Sequence, residues 1–123
     1  MVPMPNQLRV LVIQEDSIVK AILERFILSR GYSCVTISSL SEFQPDSHGT
    51  HFNVVITDLL FSDMGWQDFS MALRQQVTFE HGLVVSAMDQ ESIQKRVLNY
   101  PGVEGFFGMP LDFEGLEAKL KSF

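Results

Sequence analysis

The chain has 123 residues, 46% hydrophobic and 20% charged, a balance that excludes a disordered chain and suits one domain of ordinary size with a real core. A formal charge of −6 argues against a binder of phosphate backbones, and no apolar run approaches the roughly 18 residues a membrane-spanning helix needs. The opening M-V-P-M-P-N lacks the basic patch and apolar stretch of a signal peptide, and the lone Cys34 rules out an internal disulfide and fits a reducing cytoplasm.

In chain order, residues 1–5 read as a short tail and 6–123 as one unit. The first strand candidate is L-R-V-L-V-I, Leu8 to Ile13. Behind it Ile18, Val19, Ile22, Leu23, Phe26 and Ile27 recur at helical spacing, with Asp16 or Ser17 to cap the start and Gly31 to supply a left-handed stop. A second strand, S-C-V-T-I at 33–37, leads into S-S-L-S-E-F, too short for more than a weak helix, and then the loop P-D-S-H-G-T-H. The third strand, N-V-V-I-T at 53–57, ends at Asp58, and Phe69, Leu73 and Val77 mark the helix that follows. G-L-V-V-S at 82–86 precedes a helix carrying Ile93, Val97 and Leu98 behind an Asp89 cap. E-G-F-F at 104–107 precedes the last helix, with Phe113, Leu116 and Leu120 behind Asp112.

Strands one, three and four are nearly continuous apolar runs rich in β-branched residues, as expected of parallel strands covered on both faces. Five alternations with short connections imply right-handed crossovers and a doubly wound five-stranded parallel α/β sheet. Ligands of such sheets bind beyond the carboxyl ends of the strands. Those ends carry Gln14, Glu15 and Asp16, then Asp58, then Ser86, then Gly108, Met109 and Pro110. With strand order 2-1-3-4-5, Glu15 and Asp58 converge at one edge, and two carboxylates with nearby carbonyls are hard ligands suited to Mg²⁺. No strand is followed by a glycine-rich phosphate cradle, so dinucleotide and P-loop readings fail. His48 and His51 lie three apart in the loop and read as a solvated pair, since no cysteine or acid cluster supports a metal there. His81 reads as turn chemistry ahead of a strand.

The segments R-V-L-V-I-Q-E-D (9–16), V-V-I-T-D-L (54–59), V-V-S-A (84–87) and G-V-E-G-F-F-G-M-P (102–110) together resemble the receiver domain of two-component response regulators, over essentially the whole chain. The resemblance implies a flavodoxin-like, receiver-like fold and a phosphoacceptor aspartate at Asp58. It implies a switch hydroxyl at Ser86, a switch aromatic at Phe106, and Mg²⁺ bound by Glu15, Asp58 and the backbone carbonyl of Leu60. It implies a histidine kinase or phosphotransfer protein as phosphate donor, in bacterial cytoplasmic signalling with no membrane and no direct nucleic-acid contact. An output domain or partner protein completes the implied set, with a homodimer through the last two helices and the fifth strand.

The site departs from the family pattern, and so does the loop after Asp58, where the usual proline reads Ser62 and the usual Asp-Gly reads Gly65-Trp66. The family's first acid after strand one is Gln14 here, and its lysine before the proline of strand five is Met109. A point charge about 4 Å from a phosphoryl group contributes on the order of 4 kcal/mol at an effective dielectric near 20. Met109 supplies none of it, and Gln14 removes a negative charge from the metal side. The expectation is an atypical receiver, not an enzyme, with phosphorylation weak or abandoned and output through protein contacts. The alternatives are a fully working Mg²⁺-dependent phosphoacceptor and a flavodoxin-like small-ligand binder. Trp66, where the family has glycine, is either a surface anchor or part of a helix packing.

Overall fold

A computed structural model describes residues 8–45, 49 and 51–123. The expected tail 1–5 and His48 lie outside these residues. Five strands alternate with helices: β1 (Arg9–Ile13), α1 (Ser17–Ser29), β2 (Ser33–Ile37), a 3₁₀ turn (Leu40–Glu42), β3 (His51–Thr57), α2 (Trp66–Gln76), β4 (Thr78–Val85), α3 (Glu91–Leu98), β5 (Val103–Phe107) and α4 (Phe113–Lys121). All pairings are parallel and the order is β2-β1-β3-β4-β5. The expected doubly wound topology is therefore present.

Alternation along each strand divides the core between two faces. Val10, Val12, Val54, Ile56, Leu83 and Val85 pack under α1 and α4, against Leu23, Ile27, Leu116 and Leu120. Leu11, Ile13 and Val55 point the other way, against Phe69 and Leu73 of α2, and Val84 meets Val97 of α3 on that same side. Each fully buried aliphatic side chain contributes about 1.5–3 kcal/mol relative to exposure. An ion pair between Arg30 and Glu117 (3.2 Å) links the end of α1 to α4.

The ends of elements follow local chemistry. Asp16 caps α1 by accepting from the amides of Ile18 and Val19, and Asp112 caps α4 through Gly115. Gly31 has φ of +83°, the left-handed stop expected there. Four expectations need correction. Asp89 does not cap α3. Gln90 occupies that position without a side-chain hydrogen bond, because the Asp89 carboxylate lies against Gly108 and its backbone oxygen accepts from Gln94 Nε2. His51 opens β3 rather than lying in a loop, and His81 lies inside β4, which begins at Thr78, four residues before the expected apolar run. The apolar stripe of α1 is wider than its buried face: Ile18 and Ile22 remain 69% and 42% exposed. Trp66 is a packing residue rather than a projecting anchor, stacked on Phe69 and edge-on to Tyr100.

Candidate functional site

The backbone places the candidate residues before any side chain acts. Ile13 of β1 pairs with Ile37 and Thr57, and Val85 of β4 pairs with Phe107. The first amide past each strand then donates to the last carbonyl of a neighbour: Gln14 to Ile37, Asp58 to Ile13 and Ser86 to Phe107, each at 3.1 Å. Gln14, Asp58 and Ser86 are thereby fixed at one carboxyl edge, with Asp58 on the central strand. The apolar runs end there, and the polar side chains that follow them gather at that edge.

Gln14 is 1% exposed. Its Nε2 donates to the carbonyl of Val85 (3.3 Å), crossing from β1 to β4 over the end of the intervening β3. A carboxylate could not make this bond, since it has no proton to give. Glu15 is exposed, and both of its oxygens are engaged by Ser62: Oε1 accepts from the backbone N–H (2.7 Å) and Oε2 from the hydroxyl (2.6 Å). Asp58 is half-buried, and its Oδ1 accepts from the amide of Leu59 (2.6 Å). Thr57, beside it, donates its hydroxyl to the Asp58 carbonyl (3.0 Å).

Ser86 is 3% exposed, with its Oγ accepting from the amide of Met88 (3.1 Å). Met109 is 37% exposed. Leu60 is exposed on the loop after Asp58. Phe106 is half-buried against Leu59, Val84 and Val97, while Phe107 turns to the opposite core. Among the described residues no lysine or arginine forms an ion pair with Asp58 or Glu15.

Ser62 and Val85 are the participants that sequence reasoning missed. Ser62 was legible only as a replacement for a proline in the loop, and the Val85 carbonyl carries no sequence signal. The expected donor set of Glu15, Asp58 and the Leu60 carbonyl fits a resident Mg²⁺ poorly: Glu15 is already hydrogen-bonded through both oxygens, and the adjacent Gln14 amide is committed to Val85. Among the described residues no group of three or more His, Cys, Asp or Glu side chains is placed to hold a metal ion.

The architecture is that of solved receiver domains. A two-component response regulator from Clostridium difficile superposes with a TM-score of 0.80 at 20% identity, over 94% of this chain and 94% of that one. Chemotaxis protein CheY4 from Vibrio cholerae gives 0.77 at 20% identity, covering 94% and 98%. The receiver domain of the Francisella response regulator 1452 gives 0.78 at 16%, covering 94% and 95%. No family model matches the chain, and no curated protein matches it in sequence. The chain thus has the receiver fold. No helix among the described residues is long and apolar enough to cross a membrane.

Proposed function

We propose that residues 6–123 form an atypical receiver domain in two-component signalling, in which phosphorylation of Asp58 is weak or abandoned and output runs through protein contacts. The observation that carries this reading is the state of the groups around Asp58. The groups that would counter the charge of a phosphoryl group, directly or by holding a metal ion, are uncharged or already engaged: Met109 has no charge, Gln14 is bonded to Val85, and Glu15 is bonded to Ser62. Phosphoryl transfer to a carboxylate depends on positioning the acceptor and on neutralising the charge of the transferred oxygens. This chain supplies the acceptor Asp58 and the hydroxyl of Ser86, and little of the second requirement.

The retained geometry supports descent from a working switch. Ser86 at the carboxyl edge and Phe106 on β5 support roles as switch hydroxyl and switch aromatic, and the partner surface would comprise α3, β5 and α4, as a homodimer or toward an output partner. Mg²⁺ binding by Glu15, Asp58 and the Leu60 carbonyl would be millimolar or weaker, since Glu15 must first give up Ser62 and Mg²⁺ sheds water reluctantly. A titration followed by Trp66 emission tests this, and micromolar affinity would contradict it. Phosphotransfer from an autophosphorylated histidine kinase tests the whole reading: little label should reach the native chain, and stoichiometric label on Asp58 would favour a working phosphoacceptor instead.

A further inference from the structure

Beside the carboxyl edge, a cavity of about 540 Å³ opens between the loop from Leu59 to Trp66 on one side and Met88, Ile93, Arg96 and Val97 on the other. Its volume lies in the range of small-molecule sites, and its walls are mostly apolar. Two groups on residues that line it lack the partners such groups normally have. The indole Nε1 of Trp66 is buried without a hydrogen-bond acceptor, an uncommon state for a buried donor. The Arg96 side chain lines the cavity, and its guanidinium makes no hydrogen bond or ion pair among the described residues. Asp63 also lines the mouth and is exposed. With the chain's net charge of −6, it penalises a multiply charged anion more than a singly charged one.

We propose that this cavity binds a small, largely apolar molecule carrying a single carboxylate, with its body against Trp66, Met88 and Ile93 and its carboxylate on Arg96. Guanidinium and carboxylate match in shape and charge, and the pair forms charge-assisted hydrogen bonds. The site goes beyond the receiver reading and does not rest on it. Both walls nevertheless lead to the candidate edge: Ser62, in the same loop, holds Glu15, and the amide of Met88 donates to Ser86. An occupant that moved either wall would alter those two bonds.

The test uses 2-naphthoate as probe and neutral 2-naphthamide as control. Trp66, the single tryptophan, serves as fluorescent reporter, and methyl-labelled methionine and isoleucine report position. The expected result is saturable quenching by naphthoate with a dissociation constant on the order of 1 mM or tighter, as for a ligand of this size. Signals of Met64, Met88 and Ile93 should move, while Ile18 and Ile22, in an apolar groove on the opposite face, stay fixed. Arg96→Gln, a change at an exposed position, should weaken naphthoate about tenfold and leave naphthamide unchanged. The proposal is overturned if naphthoate does not saturate, if the shifts fall on Ile18 and Ile22, or if Arg96→Gln leaves naphthoate binding intact.

Discussion

At position 14 a glutamine amide does what an aspartate cannot: it donates to the Val85 carbonyl and ties β1 to β4 across the end of β3. Gln14→Asp should therefore destabilise the chain by about 1–3 kcal/mol, because it removes a buried donor and brings a charge toward a carbonyl. Urea denaturation measures the loss, and millimolar Mg²⁺ should recover part of it in this variant while leaving the native chain nearly unmoved. Cys34 gives a second test at this scale. Burial, and then the negative charge of Glu24, push its thiol up from an ordinary 9.0 to about 12. The folded state thus holds this proton more tightly than the unfolded one. The associated stability is complete below pH 9 and is lost as pH rises toward 12. Cys34→Ala should flatten that decline in urea midpoint relative to the native chain, and an unchanged slope would contradict the assignment.

Between β4 and β5 the strand register shifts at Gly82 and Leu83, where the Gly82 amide donates to Gly102 (2.8 Å). A Cβ on Gly82 would come within 2.5 Å of the Gly102 carbonyl oxygen, and Gly102 itself has φ of +85°. Gly82→Ala should cost about 1–3 kcal/mol in urea denaturation, since a backbone atom rather than a flexible side chain must give way. The same junction shows what the sequence could reveal. The apolar run from Gly82 marks the covered half of β4. The half from Thr78 to His81 alternates between exposed and half-buried residues, so no continuous run announces it. The middles of strands were legible because both faces are buried. Asp58 and Ser86 were legible as the first polar residues past those runs. The bond between Ser62 and Glu15, the seat of Asp89 on Gly108 and the cavity beside Trp66 were not, because each depends on how a loop folds back against a distant element. Trp66 shows the limit plainly: its indole packs on Phe69 and Tyr100, and Tyr100 lies 34 positions away by numbering.

For the whole molecule, the receiver fold is intact, and on the reading proposed above the charges that would make it a phosphoryl switch are missing or committed. On that reading the losses are a metal-side acid at Gln14 and a cation at Met109, and a metal ion and an ammonium would neutralise different oxygens of one phosphoryl group. Met109→Lys and Gln14→Asp together should raise the yield or lifetime of phospho-Asp58 by more than the sum of the single changes. If the pair gains nothing, the lesion lies in the Gly65-Trp66 loop. The most direct measurement is intact mass after incubation with Mg²⁺ and acetyl phosphate, with Asp58→Asn as the control for site. The native chain should remain almost wholly unmodified, and the double variant should acquire a single phosphoryl group that Asp58→Asn abolishes. High occupancy of Asp58 in the native chain would contradict the account of a degraded switch.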